Sequence, residues 1–251
     1  MFNLDRVGKK VAIIKDNKKF EKKAIYISPD EDEDIDGFSQ MHLDSGKFQL
    51  TVDTSTRQIL YCTGPSGSGK STFILNYLAE WKKHFKKSDI YVFSALAEDE
   101  TLDKMSGLKR IRIDEDLEEE NIDYNDFKDC ALVFDDTDVI SNKKVKDEVY
   151  KILNKCLEVG RHENIFLAIS NHLPTNGLHT RRILNEAHYV CWFPHAGASK
   201  QMKYLLNEYL GLDRETIRKI KRLKSRWACM FKLYPQFILT EKDIFLLNDD
   251  D

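Results

Sequence analysis

Short continuous apolar runs alternate with amphipathic segments through most of the chain. Such runs, which predict buried strands, lie at residues 59–63, 90–93, 130–134 and 165–170, with a weaker run at residues 109–113. Between them, apolar residues recur every three or four positions over residues 71–86 and 145–159, which predicts helices with one buried face. Strands that alternate with helices pair in parallel. The pattern therefore predicts an α/β fold with a mainly parallel central sheet flanked by helices.

The segments on either side of this core follow other patterns. Apolar runs and Lys-rich turns alternate over residues 1–27, which predicts a marginal hairpin. Six of the seven residues at positions 30–36 are acidic. We expect this run to be a solvated loop, and an acidic tether for a basic partner is the alternative. Beyond residue 174 the predicted elements are a helix at 180–186, a strand at 188–193, helices near 200–210 and 214–226, and strands near 227–233 and 237–239. We divide the chain into a small N-terminal β extension (1–55), a core (56–240) and an acidic C-terminal tail (241–251).

Composition narrows the class of protein. The 251 residues, 41% hydrophobic and 32% charged, supply one packed core, and the formal charge of −3 argues against a uniformly basic coat on nucleic acid. No run of 18 apolar residues occurs and the N-terminus lacks the pattern of a signal peptide. We therefore expect a protein that stays inside a cell and does not insert into a membrane. The five cysteines, without a C-x-x-C pair, are expected to be reduced core residues.

The most specific pattern follows the strand at residues 59–63. It matches G-x-x-x-x-G-K-[ST] and consists of Gly64, Pro65, Ser66, Gly67, Ser68, Gly69, Lys70, Ser71 and Thr72. The glycines let successive backbone N–H groups point inward as an anion nest, and the start of the following helix adds the positive end of its dipole. We expect Lys70 to contact the β- and γ-phosphates of ATP and Ser71 to coordinate Mg²⁺. A glycine-rich turn that binds nothing is the alternative.

A second strand ends in two acidic residues. The run at residues 130–134 is followed by Asp135 and Asp136, which places both carboxylates at the carboxyl edge of the sheet, beside the phosphate-binding loop. We assign Asp135 to Mg²⁺ and Asp136 to polarising the water that attacks the γ-phosphate. Asp136 alternatively caps the next helix, and for Asp138 we expect that capping role.

The strand at residues 165–170 provides two further candidates. It is followed by Asn171, whose amide is placed to sense a γ-phosphate or, alternatively, to cap a turn. Arg161 precedes the same strand, so it lies at the far end from the nucleotide of its own chain and suits an arginine finger supplied to a neighbour. Arg181 and Arg182 are rivals for that role, and a surface arginine near a helix C-terminus is common.

The order of these motifs resembles a known family. The motifs are residues 64–72, then Leu132-Val133-Phe134-Asp135-Asp136, then Gly160-Arg161-His162 leading into Leu167-Ala168-Ile169-Ser170-Asn171. They are similar to those of the viral DNA-packaging ATPases of poxviruses, giant viruses and virophages, which belong to the FtsK/HerA superfamily of P-loop NTPases. The resemblance covers roughly residues 45–240. The family usually has Gln in place of Asn171, and the wider superfamily often has Glu in place of Asp136.

The resemblance implies ATP hydrolysis coupled to translocation of double-stranded DNA into a capsid, by a homo-oligomeric ring in which each site is completed by its neighbour. The resemblance also implies that the protein binds a capsid protein. It further implies that the protein is located in the host cytoplasm or viral factory and associates transiently with the virion. For DNA contact the sequence offers a basic segment, residues 214–226, in which Arg214, Arg218, Arg222 and Arg226 form one stripe. A solvated basic helix is the alternative.

Two other functions remain open. A small-molecule or nucleotide kinase shares the phosphate-binding pattern, and the basic segment would then be its Arg-rich lid. The acidic pair after one strand and the Ser-Asn pair after another favour hydrolysis instead. A nucleotide-gated scaffold without turnover would keep Lys70 and need neither Asp136 nor Arg161. Phosphate release measured with and without DNA distinguishes the three functions.

Overall fold

The computed structural model describes residues 1–20, 23–29, 36–119, 122–196 and 199–247. Within these residues the strands form two sheets, one of four strands and one of ten. The acidic run at residues 30–36 lies, apart from its last residue, outside the described residues, as do residues 248–251 of the predicted tail.

The N-terminal part forms a small antiparallel sheet. Its strands and their neighbours are β1 (Phe2–Asn3), β2 (Lys9–Lys15), β3 (Ala24–Ile27), β4 (Gln40–His42) and β5 (Lys47–Leu50). The order in the small sheet is β1-β3-β2-β5, and β2 pairs with β3 as the predicted hairpin. Strand β4 instead joins the large sheet.

The core alternates strands and helices as predicted. Its elements are β6 (Ile59–Thr63), α1 (Lys70–His84), β7 (Ile90–Ser94), β8 (Leu108–Arg112), β9 (Ala131–Asp135), α2 (Lys143–Val159), β10 (Phe166–Asn171), α3 (Gly177–Glu186) and β11 (Tyr189–Trp192). The six strands pair in parallel in the order β11-β6-β10-β9-β7-β8. Every residue of β6, β9 and β10 is buried, because apolar clusters cover both faces of the sheet. All five cysteines are free and buried, as predicted.

The C-terminal part widens the large sheet. It contains α4 (Ser199–Tyr204), a π-helical turn (Leu205–Tyr209), α5 (Arg214–Arg222), β12 (Ala228–Phe231), β13 (Phe237–Thr240) and β14 (Asp243–Leu246). Strands β12, β13, β14 and β4 follow β11 in antiparallel pairs. Part of the predicted acidic tail is therefore a strand of the large sheet, because Ile244 and Phe245 are buried there. No helix of the described residues is long and apolar enough to cross a membrane.

The position of β10 sets up the site. It lies between β6 and β9, with Asn171 paired to Thr63 and Ser170 paired to Asp135. Parallel strands end at the same edge of a sheet, so the residues that follow these three strands lie side by side.

Candidate nucleotide-binding site

The phosphate-binding loop connects β6 to α1. The Gly64 N–H donates to the Asn171 carbonyl at 3.1 Å, which ties the start of the loop to β10. Gly69 has a φ of 112°, a conformation that favours glycine, and α1 begins at the next residue. No side chain of the described residues caps the first turn of α1, and Ser68 Oγ is buried without a hydrogen-bond partner there. Free N–H groups at a helix start and an unpaired hydroxyl suit an anion.

Lys70 lies within this loop. It is only 7% exposed, and its Nζ donates to the Gly64 carbonyl at 3.0 Å. The same Nζ lies 3.5 Å from Asp136 Oδ1. The structure thus brings together the predicted phosphate contact and the predicted catalytic acid, although they are 66 positions apart in the sequence.

Asp135 is held as a buried carboxylate at the end of β9. It is 5% exposed and accepts hydrogen bonds from Ser170 Oγ at 2.6 Å and Ser94 Oγ at 3.4 Å. Burial raises the pKa of Asp135, and the nearby carboxylates of Asp136 and Asp99 add to this rise, whereas the Ser170 hydrogen bond and Lys70 oppose it. A cation beside this carboxylate would favour its charged form.

Ser71 and Asp99 carry further side-chain oxygens close to this site. Ser71 Oγ lies 3.5 Å from Asp99 Oδ2, and Asp99 contributes to the electrostatics of Asp135. Among the described residues no group of three or more His, Cys, Asp or Glu side chains could hold a metal ion. Proteins commonly bind Mg²⁺ through one or two carboxylates together with substrate phosphates, and the assignment of Ser71 and Asp135 to Mg²⁺ stays a prediction. Sequence reasoning missed Ser94 and Asp99; Ser94 follows an apolar run and was detectable as a strand-end hydroxyl.

Asp136 is oriented by residues from β10 and the turn after it. Its backbone has a φ of 48°, and its N–H donates to the Ser170 carbonyl at 3.0 Å. Its Oδ2 lies 2.8 Å from His172 Nε2, and Ser170 Oγ lies 3.4 Å from its Oδ1. Asp136 therefore faces the loop with one oxygen and His172 with the other. Sequence reasoning missed His172, although it directly follows a strand that was singled out.

The prediction that Asp138 caps the next helix is wrong. Its carboxylate accepts the N–H groups of His172 at 3.2 Å and Leu173 at 2.9 Å, so it fixes the turn after β10. Helix α2 is capped by Asn142, whose Oδ1 accepts the Lys144 N–H at 3.0 Å. This contact could not be predicted from the sequence, because Asp138 and the turn after β10 are more than 30 positions apart.

Asn171 lies at the carboxyl end of β10, fully buried. Its Oδ1 accepts a hydrogen bond from Thr137 Oγ1 at 3.3 Å, and Thr137 Oγ1 also lies 3.2 Å from Tyr150 Oη. Its Nδ2 is buried without a partner in the described part of the chain. An amide held through its oxygen, with a buried N–H₂ that lacks a hydrogen-bond partner among the described residues, is compatible with a sensor; this role stays a prediction.

Arg161 lies at the opposite edge of the sheet. It is exposed, in the turn between α2 and β10. Arg57 supports this turn by donating to the Cys156 carbonyl at 2.5 Å and the Leu157 carbonyl at 2.6 Å. The placement agrees with the expectation that Arg161 points away from its own loop, while its role stays a prediction. Arg181 and Arg182 are exposed on α3.

The predicted basic stripe is shorter than expected. Arg214, Arg218 and Arg222 are exposed on α5, opposite the buried Ile217 and Ile220.

Arg226 departs from the stripe, because α5 ends at Arg222 and the next residue has an extended backbone with a ψ of 138°. The Arg226 N–H donates to Glu241 Oε2 at 2.7 Å, and a Cβ built on Gly69 would lie 3.8 Å from Arg226 Nη2. Its assignment to the helical stripe is therefore corrected: it lies beside the phosphate-binding loop.

Comparison by sequence finds one close relative. No protein-family model matches the chain. The chain is 38% identical over 242 residues to the uncharacterized protein V3 of Sputnik virophage, with 95% of this chain and 96% of V3 covered.

Comparison by structure identifies the fold. The genome-packaging NTPase B204 of Sulfolobus turreted icosahedral virus 2, in complex with AMPPCP, has a TM-score of 0.51 at 16% identity, covering 74% of this chain and 97% of B204. The pCW3 conjugation coupling protein TcpA with ATPγS has a TM-score of 0.52 at 13% identity, covering 97% of this chain and 79% of TcpA. The cytoplasmic domain of EssC has a TM-score of 0.53 at 15% identity, covering 98% of this chain and 46% of that structure. These likenesses confirm the predicted P-loop NTPase fold and, at the level of fold, the resemblance to viral packaging and FtsK-type ATPases.

Proposed function

Because the chain belongs to the same protein family as virophage protein V3 and has the fold of viral genome-packaging NTPases, we propose that it is an ATP-driven motor that translocates double-stranded DNA. Its biological task is to package a viral genome into a capsid, with a capsid protein as docking partner. The substrate is ATP with Mg²⁺. A P-loop kinase is the alternative that the experiment below must exclude.

One observation carries this proposal. Lys70, Asp135, Asp136 and Asn171 converge at the carboxyl ends of three adjacent strands, with Lys70 Nζ 3.5 Å from Asp136 Oδ1. Phosphoryl transfer to water needs a cradle for the phosphates, a carboxylate for the metal and a group that positions the water. The four side chains supply these parts within one site.

Each residue then has a defined task. The loop of residues 64–72 binds the phosphates through backbone N–H groups, and Lys70 neutralises the β- and γ-phosphates. Ser71 and Asp135 hold Mg²⁺, which supplies positive charge to the phosphate oxygens. Asp136 accepts a hydrogen bond from the attacking water, and the Asn171 N–H₂ donates to the γ-phosphate.

The proposal includes a ring of identical subunits. Arg161 lies at the opposite edge of the sheet from its own loop, which suits contact with the nucleotide of a neighbour. The exposed arginines of α5 suit contact with DNA phosphates, which carry no sequence information. A packaging motor needs that indifference to sequence.

Phosphate release from ATP, measured with and without double-stranded DNA, tests the proposal. We expect Mg²⁺-dependent turnover that DNA accelerates, and loss of nucleotide binding and turnover in a folded Lys70→Ala protein. Turnover that requires an added phosphate acceptor would instead identify a kinase. Unchanged turnover in Lys70→Ala would refute the assignment of the loop.

A further inference from the structure

A cleft of about 430 Å³ opens beside the phosphate-binding loop. We propose, on the premise that the protein binds ATP, that this cleft takes the nucleoside half of the nucleotide. Arg226 contacts the ribose and α-phosphate there, and Trp227 contacts the base. The small N-terminal sheet forms the opposite wall and so completes the binding site.

The cleft is continuous with the loop. Ser68, Gly69 and Thr72 line it on one side, and β5 contributes Phe48 and Leu50 on the other. Its volume lies within the range of about 300–1,000 Å³ that is common for small-molecule pockets. A nucleotide whose phosphates fill the loop therefore has a neighbouring space for its nucleoside.

The sheet order gives the direction of the bound nucleotide. The acids at the end of β9 lie on one side of β6, so the γ-phosphate is expected there. Phe193 follows β11 and Trp227 precedes β12, and both line the cleft on the other side of β6. A nucleotide that crosses the loop from the γ-phosphate end must leave it towards this cleft.

Arg226 is fixed at the junction between loop and cleft. Its backbone N–H donates to Glu241 Oε2 at 2.7 Å, and the Glu241 N–H donates to Ser225 Oγ at 3.0 Å. These bonds hold the segment while the side chain reaches Gly69, where a Cβ would lie 3.8 Å from Nη2. A guanidinium at this point adds a fixed positive charge beside the nest of N–H groups, and charge-assisted hydrogen bonds to phosphate are strong.

Trp227 offers an aromatic surface in the same cleft. Its ring is half-buried and packs edge-on against Phe73, with 4.9 Å between ring centroids. Bases stack on such rings regardless of their identity, because every base has a π-face. All three tryptophans of the chain lie in the described residues, and Trp81 and Trp192 are 0% exposed. Trp227 is therefore the tryptophan that a quencher in solution can reach.

Acrylamide quenching of tryptophan fluorescence tests the proposal on the whole protein. ATP and AMP should each reduce the quenching constant at least twofold, because both place a nucleoside over Trp227. Inorganic tripolyphosphate, which fills the loop without a nucleoside, should leave the quenching constant unchanged. Trp227→Phe should abolish the quenchable signal, which confirms its source, but the wild-type measurement is decisive by itself.

Binding constants complete the test. Arg226→Gln should weaken binding of ATP and AMP about tenfold, since an exposed charge-assisted contact is lost, and Arg226→Lys should restore part of it. Arg112→Gln removes the same charge from an exposed arginine at the end of edge strand β8, far from the cleft in the sheet order, and should change neither constant. ATP bound in a Lys70-dependent manner with Trp227 still fully quenched would overturn the cleft assignment alone. Failure to bind ATP at all would overturn the proposed function.

Discussion

Replacing His172 by alanine removes the ring that orients the proposed catalytic carboxylate. His172 Nε2 lies 2.8 Å from Asp136 Oδ2, whereas Asp136 Oδ1 is shared between Lys70 and Ser170. Phosphates compete for Lys70, so in the proposed mechanism His172 and Ser170 are the side chains that still orient Asp136 towards the attacking water, and His172 makes the shorter contact. We expect His172→Ala to lower kcat with little change in KM, because His172 does not lie in the phosphate-binding loop.

The size of the effect follows from the exposure of the pair. A hydrogen bond to a charged group contributes about 1.5–3 kcal/mol. The side chains of His172 and Asp136 are 28% and 26% exposed, so solvent screens the pair and we take about 1–1.5 kcal/mol. Since about 1.4 kcal/mol corresponds to a tenfold change in rate, kcat should fall by about five- to twelvefold.

The assay is steady-state phosphate release in a double-mutant cycle. Asp136→Asn alone should lower kcat by about 10² to 10⁴, the range of a lost general base. Adding His172→Ala to Asp136→Asn should cost nothing further, because His172 acts only through the carboxylate. His172→Gln keeps an N–H donor and should restore part of the rate.

Two results would refute this reasoning. If the reductions in kcat caused by the two substitutions multiply in the double variant, His172 acts on the substrate or on the fold and not through Asp136. A raised KM at unchanged kcat would place His172 in nucleotide binding.

Three further predictions follow from the same structure. The Arg161→Ala protein should bind ATP normally but hydrolyse it slowly. Rings that mix Arg161→Ala subunits with Asp136→Asn subunits should regain activity, because some interfaces then contain both intact residues. If rings shown to contain both subunits do not recover, Arg161 has a structural role only. Replacing both Arg218 and Arg222 by Gln should reduce the magnitude of the slope of log DNA affinity against log salt concentration by up to about 2. ATP hydrolysis without DNA should be unchanged. An unchanged slope together with loss of hydrolysis would contradict DNA contact by these residues. Burial, with cationic neighbours, lowers the pKa of His188 to about 4. Below about pH 6.5 His188 takes up a proton in the unfolded chain, whereas in the folded chain it stays neutral down to about pH 4. The free energy of unfolding should therefore fall by about 2 kcal/mol, after allowance for solvent screening, as the pH is lowered from about 6.5 to 4. Urea unfolding at several pH values checks this, and an equal loss in His188→Gln would contradict it.

The core of the site was predictable because its signals are local. The loop of residues 64–72 and the acids after residue 134 each follow an apolar run, and parallel pairing then brings strand ends together. The sequence therefore predicts which edge of the sheet holds the site without any knowledge of side-chain positions.

The remaining site residues depend on contacts between distant segments. Asp138 is predicted to be a helix cap because Asp favours that position, yet its carboxylate accepts two N–H groups from the turn after β10. Arg226 continued a four-residue spacing, yet the backbone leaves the helix after Arg222 and Glu241 holds it elsewhere. Periodicity cannot show where tertiary hydrogen bonds end a helix.

The boundaries at residues 55 and 240 illustrate the same limit for whole segments. Composition changes there, but β4 pairs with β14, and the Phe48 N–H donates to the Glu241 carbonyl at 2.8 Å. The Glu241 side chain in turn holds the Arg226 N–H beside the phosphate-binding loop. The turn between β13 and β14 thus joins the N-terminal segment to the loop through residues almost 200 positions apart. Removing residues 1–55 would expose the edge of β14 and open one wall of the cleft, so the proposed nucleoside site depends on the extension despite its separate sequence pattern.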